Sequence, residues 1–265
     1  VSGNQLSIRS DESSGQYVDM GDNLTLDGTD FTIELWLKPR TDALNDSHHN
    51  ICGNDDNWDV NNGGAANRPP MLYIFQYDRI HYGYGDGTGW YEDDTEKALK
   101  IGQWNHIAIT FDDATNTLKA YANGKLLDSL TGGGEVTSTP LKYINKDQEL
   151  RAYLDEFRVW KEERTQAELI ANMNSTLSGN EDNLALYYSF DQVTSGEIED
   201  QAGINNGTMK NGPGIFNSDA ILTPVLKPVE NVGIDNFKIS WHPVPDAFDY
   251  YIDVATDPEF KNLVR

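Results

Sequence analysis

The sequence predicts an all-β fold, a two-sheet antiparallel sandwich or jelly roll with one short helix. Short segments alternate apolar and polar residues with a period of two, which places successive side chains on opposite faces of a strand. Turn signals rich in Gly, Asn and Asp separate these segments at short intervals, as in hairpins. One stretch has the capped pattern of a helix with an apolar stripe. Together these features are typical of an antiparallel sandwich.

The predicted strands fill most of the first two-thirds of the chain. In the segment 31–39, Phe31, Ile33, Leu35 and Leu37 share one face, and polar residues and Trp36 share the other. The Asn-Gly pair at 123–124 predicts a hairpin turn. The other strand-like segments are "QYVDM" (16–20), "MLYIFQY" (71–77), "RIHYGYG" (79–85), "WNHIAITFD" (104–112), "TLKAYANG" (117–124), "KLLDSL" (125–130) and "NLALYYSFD" (183–191).

The helix is predicted within "RTQAELIANMN" (164–174). Thr165 is followed three residues later by Glu168, the spacing of a capping box. Leu169, Ile170 and Met173 can then form an apolar stripe.

Composition excludes several classes of partner. The 265 residues include 20 Lys and Arg against 43 Asp and Glu, for a formal net charge of −23. Such a surface repels nucleic acid and anionic membranes, whereas carboxylates, amides and carbonyls are the oxygen ligands that calcium prefers. The single cysteine, Cys52, allows no intramolecular disulfide and no thiolate zinc cluster. We see no apolar run near the ~20 residues of a membrane span.

A second domain is predicted near the C-terminus. The stretch "ILTPVLKPVENVG" (221–233) changes composition and reads as a linker, and alternating segments follow it in "FKISWHPVPDAFDYYIDVATDPEF" (237–260). We therefore predict one domain over 1–220 and a linker with the start of a second over 221–265.

Four stretches together resemble a known family: "SGQYVDMGDNLTLDGTDFTIELWLKP", "GQWNHIAITFDDATNTLKAYANGKLLDS", "YLDEFRVWKEERTQAEL" and "LALYYSFD". In this order and spacing they resemble the laminin-G-like, concanavalin-A-like jelly-roll domains of large secreted bacterial proteins, over roughly residues 1–215. The tail from about 224 resembles the start of a fibronectin type III domain, a second and partial β-sandwich. Because such a domain needs ~100 residues, we expect the chain to be a piece of a longer multidomain protein.

The strand "YLDEFRVW" (153–160) raises a question about charge. Strict alternation places Asp155 on the same face as Tyr153, Phe157 and Val159, which looks like the core face. A buried carboxylate must be paired, protonated or bound to a metal.

The family resemblance implies a structural calcium ion at Asp155, with ligands from the N-terminal segment "DNLTLDGTD". The candidate partners are Asp22, Asn23, Asp27, Gly28 and Asp30, with Asp11 a weaker candidate. The alternative is that Asp155 accepts backbone N–H groups or pairs with Arg151 or Arg158.

Two loops are candidates for ligand binding. The stretch 43–70 is the longest irregular insertion, and Asp55, Asn57 and Asp59 alternate within it as at the start of a calcium loop, although Val60 replaces the expected glycine. In "HYGYGDGTGWYEDD" (81–94), aromatic rings surround Gly-Asp turns, and exposed rings stack on the apolar faces of sugars. The predicted ligand-binding residues are Trp58, Asp59, Tyr82, Tyr84, Asp86, Trp90 and Tyr91; the alternative for the rings is a place in the core.

Catalysis finds little support in the sequence. Jelly-roll glycosidases carry a Glu-x-Asp-x-Glu strand for acid and nucleophile roles, but "YLDEF" offers only Asp155 on its face, and "EIED" (197–200) looks like a loop. No Gly-x-Ser-x-Gly motif is present. We therefore predict a non-catalytic, extracellular recognition module that binds carbohydrate and contains structural calcium. The rivals are a protein-binding adhesin or spacer and, less favoured, a polysaccharide hydrolase.

Overall fold

The structure is a computed structural model that describes residues 4–9, 15–40, 47–53, 64–146, 150–203, 205–217, 230–231 and 237–238. For 4–9, 217, 230–231 and 237–238 it describes the backbone alone. The chain divides into two compact units, Val1–Leu222 and Thr223–Arg265. The first unit contains the two sheets of an antiparallel sandwich, as predicted.

The first sheet has eight strands. Seven follow the order β10-β9-β8-β3-β12-β1-β17, and the eighth, β13, also pairs with β12. Every pairing in it is antiparallel. The strands are β1 (Asn4–Arg9), β3 (Phe31–Pro39), β8 (Asn105–Asp112), β9 (Thr117–Ala122), β10 (Lys125–Thr131), β12 (Arg151–Trp160), β13 (Leu184–Tyr188) and β17 (Gly214–Asn217).

The second sheet has nine strands in the order β14-β15-β16-β2-β11-β4-β5-β6-β7. These strands are β2 (Tyr17–Asp19), β4 (His49–Cys52), β5 (Met71–Phe75), β6 (Arg79–Gly85), β7 (Trp90–Asp94), β11 (Tyr143–Ile144), β14 (Val193–Thr194), β15 (Glu197–Ile198) and β16 (Gly207–Lys210). A 3-10 turn, Gly64–Asn67, leads into β5.

The core lies between the two sheets. The predicted inward residues of β3, from Phe31 to Leu37, are fully buried in one apolar cluster with residues of both sheets, such as Ile74 and Ile109. Each fully buried side chain of this kind contributes about 1.5–3 kcal/mol of transfer free energy. Because the core occupies the inner faces, a functional surface can form on the outer face of each sheet.

Strand β12 departs from the predicted alternation. Asp155 pairs with Trp36 of β3, but the next pair is Arg158 with Glu34, so three steps on β12 match two on β3. The extra residue is Glu156, which has a φ of 53°. One unpaired residue in a left-handed conformation is a β-bulge, and a bulge re-aims the side chains beside it.

The bulge overturns the predicted face of Asp155. Leu154 before it and Phe157 after it both point into the core, so the two residues between them, Asp155 and Glu156, lie on the outer face. The prediction that Asp155 shares the core face with Phe157 is wrong, because strict alternation does not run through the bulge.

A buried polar network covers the outer face of the first sheet. Glu34 Oε2 lies 3.0 Å from His106 Nε2, and its Oε1 accepts a 2.9 Å hydrogen bond from Trp160 Nε1. Arg158 Nη2 lies 2.5 Å from Glu156 Oε2, and its guanidinium lies 3.6 Å from Glu34. All five side chains are almost fully buried. Charges removed from water need partners, and these contacts provide them.

The predicted helix, α1 (Gln166–Asn172), packs over this network. Its N-terminus carries both hydrogen bonds of the capping box between Thr165 and Glu168. Leu169 packs with residues of β8 and β9, and Trp36 Nε1 donates to Met173 O at 2.6 Å. The helix therefore shields the middle of this outer face from ligands.

The second unit contains a two-stranded antiparallel ladder of β18 (Glu230–Asn231) and β19 (Phe237–Lys238). The rest of the predicted fibronectin type III segment lies outside the described residues. Among the described helices, none is long and apolar enough to cross a membrane.

Candidate ligand-binding face of the second sheet

Strand β6 sends its tyrosines inward. Ile80, Tyr82 and Tyr84 alternate into the core and are fully buried. Tyr82 Oη donates to Asp128 Oδ2 at 2.9 Å, and Tyr84 Oη donates to the carbonyl of Gly132 at 2.5 Å. Burial raises the pKa of Tyr84 to about 12. We correct the predicted role of both tyrosines, because a ring enclosed in the core offers no face to a sugar.

Asp86 organises the β6–β7 turn. Its Oδ1 accepts from the backbone N–H groups of Thr88 (2.8 Å) and Gly89 (2.7 Å), and its Oδ2 accepts from Gly134 N (2.9 Å). Although desolvation opposes it, these donors and the Thr88 hydroxyl lower the pKa of Asp86 to about 2. The carboxylate is therefore occupied by its own loop, which corrects its predicted role as a ligand contact.

Tyr91 also belongs to the sandwich. Its ring stacks on Tyr84 with centroids 5.8 Å apart, and it packs against the core. Its ring also lies against Gly133, where an added Cβ would come within 2.7 Å of it. Of the described residues predicted to bind a ligand, this leaves Trp90.

Trp90 lies on the outer face of the second sheet, on its edge strand β7. Glu92 and Asp94 share this face with it, because side chains alternate along the strand. The register pairs Glu92 with Gly83 and Asp94 with His81 on β6. An aromatic ring, two carboxylates and an imidazole are thereby gathered on one face.

The Trp90 indole lies against the backbone of β6. A Cβ added to Gly83 would come within 2.9 Å of Trp90 Cζ2, so glycine allows this close approach. The indole Nε1 donates to Glu92 Oε2. On the ring lies the guanidinium of Arg68, with its Cζ 5.4 Å from the ring centroid, a cation–π distance. The indole remains partly exposed to solvent.

His81 joins the two carboxylates. Its Nδ1 lies 2.8 Å from Asp94 Oδ1, and its Nε2 lies 3.3 Å from Glu92 Oε2. The side chain of His81 is 10% exposed, whereas those of Glu92 and Asp94 are 49% and 38% exposed. We define the Trp90 site as Arg68, His81, Trp90, Glu92 and Asp94.

Further aromatic and polar groups continue this face. His48 stacks on Phe75 with centroids 4.3 Å apart and lies 4.6 Å from the ring of His81. Asn50 pairs with Tyr73 across β4 and β5 and is fully buried. Neither amide atom of Asn50 has a hydrogen-bond partner within the described part of the chain.

The sequence contains a signal for part of this site. Tyr82 and Tyr84 lie two and four residues after Ile80, so they share the face that this apolar residue marks as the core face. His81 and Gly83 lie on the opposite face of the strand. The next strand and its end read "EDDTE" (92–96), which has the Glu-x-Asp-x-Glu spacing. Arg68, in the long loop before β5, has no comparable signal.

Two predicted ligand contacts, Trp58 and Asp59, lie outside the described residues, as do Asp55 and Asn57 of the possible calcium loop.

The structure does not bring the predicted calcium ligands together at Asp155. Asp155 Oδ1 accepts the backbone N–H of Glu156 at 2.9 Å, the kind of bond that the alternative predicts. It lies opposite Trp36, six residues along β3 from Asp30, a separation of about 20 Å. Asp22 pairs with Lys142 Nζ at 2.7 Å.

The remaining members of the predicted calcium set are Asn23, Asp27 and Gly28, which are exposed before β3. Among the described residues, no group of three or more His, Cys, Asp and Glu side chains is arranged to hold a metal ion. Asp155 therefore does not fit the predicted set, and calcium binding elsewhere stays a prediction.

A polar concavity of about 260 Å³ lies near β14–β16 and is lined by Gln192, Thr194, Glu197, Glu199, Asp200, Gly203 and Asn206. The Asp200 carboxylate accepts backbone N–H groups of Tyr187, Ala202 and Asn205. This carboxylate thus holds a loop against β13, and the lining contains no aromatic ring.

Solved structures share this fold. A protein from Bacteroides ovatus ATCC 8483, described as a candidate carbohydrate-binding protein, matches with a TM-score of 0.65 and 23% identity over 83% of this chain and 61% of its own. The chain thus spans about three-fifths of that protein's length. A heptameric SAP-like pentraxin from Limulus polyphemus matches with a TM-score of 0.55 and 13% identity, over 83% of this chain and 98% of its own. Comparison with curated protein sequences gives no match.

The family model Laminin_G_3, described as the concanavalin A-like lectin/glucanases superfamily, matches residues 12–170. This range contains most of both sheets, the Trp90 site and the start of α1. The chain therefore belongs to the laminin-G-like family of the concanavalin A-like lectin/glucanase superfamily.

Proposed function

We propose that this chain is a non-catalytic recognition module that binds carbohydrate at the Trp90 site on the outer face of the second sheet. We further propose that it acts outside the cell, as part of a secreted or surface-attached protein. The likeness in fold to the Bacteroides ovatus protein supports the ligand class, because that protein is described as a candidate carbohydrate-binding protein.

The observation that carries the proposal is the partly exposed Trp90 indole between a cation and two carboxylates. An indole provides a flat apolar surface for the C–H face of a sugar ring. The exposed carboxylates of Glu92 and Asp94 provide acceptors for sugar hydroxyls beside that surface. Arg68 and His81 contact the indole and the two carboxylates from buried positions. A few convergent polar groups beside an aromatic surface are typical of small-ligand sites.

Glycan-array screening followed by calorimetry tests the proposal. We expect Trp90→Ala to weaken binding of any array hit by about 1–3 kcal/mol, by analogy with other stacking contacts, while Trp90→Phe retains part of it. Phe216→Ala is the matched control, because Phe216 is 53% exposed on β17 of the other sheet. Trp58→Ala tests the other predicted tryptophan.

The rival is a protein-binding adhesin or a spacer domain. A wild-type chain that binds no glycan on a broad array would favour this rival, and a hit unaffected by Trp90→Ala would move the site elsewhere.

A hydrolase is a second candidate because Glu92, Asp94 and Glu96 have the Glu-x-Asp-x-Glu spacing. Against it, β7 is an edge strand that ends at Asp94, and His81 lies between the first two carboxylates. Reducing ends released from a polysaccharide by the purified chain, and lost in Glu92→Gln, would establish hydrolysis.

A further inference from the structure

Both ring nitrogens of His81 face carboxylate oxygens. Nδ1 lies 2.8 Å from Asp94, and Nε2 lies 3.3 Å from Glu92. A neutral imidazole has one N–H group and one lone pair, whereas an imidazolium has two N–H groups. A neutral ring that donates from Nδ1 to Asp94 turns its Nε2 lone pair toward Glu92, whereas a protonated ring presents an N–H group to each carboxylate. The contact between Nε2 and Glu92 is therefore attractive only when the ring is charged.

The carboxylates dominate the charged surroundings of His81. Its ring also lies 4.6 Å from that of His48 and 5.4 Å from that of Tyr73, between centroids. The titratable and charged groups around it are Glu92 and Asp94 on β7, His48 before β4, Tyr73 on β5, and Arg79 on β6, whose Nη1 donates to the carbonyl of Thr95.

Glu92 contacts both His81 and Trp90. The same oxygen, Oε2, accepts the indole N–H of Trp90 and faces His81 Nε2. The Glu92 side chain is 49% exposed, so it can rotate toward solvent when its contact with the imidazole is lost. The orientation of the indole therefore depends on whether His81 keeps Glu92 in place.

We infer that His81 is a positioning residue for Trp90 and that it makes ligand binding at the Trp90 site depend on pH, an inference that rests on the proposed function. When the imidazole is neutral, a lone pair faces one of the carboxylates. Glu92 has the longer contact and the greater exposure, so it leaves first, and Trp90 loses its acceptor. Carbohydrate then binds more tightly at a pH at which the imidazole is charged than at a higher pH at which it is neutral.

Two measurements test this inference. The indole ¹H–¹⁵N resonance of Trp90, assigned by its disappearance in Trp90→Phe, should titrate between pH 5 and 8.5 without any ligand. The Kd for a glycan-array hit should rise about fivefold over the same range, the size expected for a partly exposed charge pair.

Substitutions separate His81 from its neighbours. His81→Gln should remove the titration of the indole resonance and the pH dependence of Kd. Glu92→Gln should do the same by removing the charge that responds, which keeps the test open if His81→Gln folds poorly. His48→Gln is the matched control and should retain both.

A Trp90 resonance that does not move with pH, or one whose titration is abolished by His48→Gln but not by His81→Gln, would overturn the inference. Because the resonance is measured without ligand, absence of glycan binding would sink the proposed function and leave this result standing.

Discussion

At the scale of single residues, Glu34 shows how this fold tolerates charge in a dry place. Its carboxylate is 1% exposed on the outer face of the first sheet, beneath α1. Burial acts to raise its pKa, but the hydrogen bond from His106, the charges of Arg158 and His106, and the Trp160 indole hold the pKa at about 2. The ionised form is therefore part of the folded structure.

The pKa of Glu34 predicts how stability depends on pH. It is depressed from 4.5 in the folded state, so its contribution, about 3 kcal/mol, is fully present above pH 4.5 and is lost as the pH falls toward 2. We expect Glu34→Gln to lower the free energy of unfolding in urea by about this amount at pH 7, and the gap to wild type to narrow below pH 4.5.

The control for this prediction is Glu163→Gln, which breaks a partly exposed pair with Lys119, whose side chains are 29% (Lys119) and 26% (Glu163) exposed. This variant should cost less than about 1 kcal/mol. Equal losses in both variants would show that burial does not distinguish the two carboxylates.

Residue by residue, the sequence reveals which side chains alternate, but not whether an aromatic ring points into the core or lies on the outer face. In "RIHYGYG" the tyrosines look like a binding platform until Ile80 is seen to share their face. The partnership of His81 with Asp94 cannot be read from sequence, because it needs the register between β6 and β7.

At the scale of elements, the short helix α1 depends on the sheet beneath it. The turn between β9 and β10 supports it, since Gln166 Nε2 donates to the carbonyl of Gly124 at 2.7 Å. A Cβ at Gly124 would come within 2.6 Å of Ile170 Cγ1, and its φ is +75°. Helix, turn and sheet thus meet where no larger side chain fits.

We expect Gly124→Ala to lower the free energy of unfolding by about 2–4 kcal/mol, from left-handed strain and from overlap with Ile170. Gly87→Ala is the matched control: its φ is +80° but its Cβ would meet nothing within 4 Å, so it should cost only about 1 kcal/mol. Urea unfolding measures both, and equal costs would show that the contact with α1 contributes nothing.

The elements themselves were largely predictable. The capping box at Thr165 and the alternation of β3 are local patterns, and the structure confirms both. The bulge in β12 was not predictable, because Glu156 adopts its left-handed φ without the Gly or Asn that usually announces one.

At the scale of the whole molecule, a net charge of −23 couples stability to cations. Any salt screens repulsion among the carboxylates, whereas a structural ion stabilises through a specific site. Strand alternation and turn signals predict the sandwich, whereas the calcium site at Asp155 is implied by the resemblance to laminin-G-like domains. The structure confirms the sandwich, and calcium stays a prediction that no longer includes Asp155.

If a structural calcium site exists, calcium at about 100 times its Kd should raise the free energy of unfolding by about 2.7 kcal/mol over EGTA. Magnesium and sodium chloride at matched ionic strength are the controls for screening. We expect Asp155→Asn to respond to calcium as the wild type does; loss of the response in this variant would restore Asp155 as a ligand.

The bulge at Glu156 determines how this strand aligns with shorter relatives. Removing Glu156 would leave every remaining residue of "YLDEFRVW" on its present face, because the extra position sits between two stretches of regular pleat. A relative one residue shorter here would keep the core but lose the nearer of the two counter-ions of Arg158 and the acceptor of the Tyr187 hydroxyl. An alignment of such relatives should therefore place its gap at 156. A single-codon deletion of Glu156 would remove the buried charge and keep the core face of the strand.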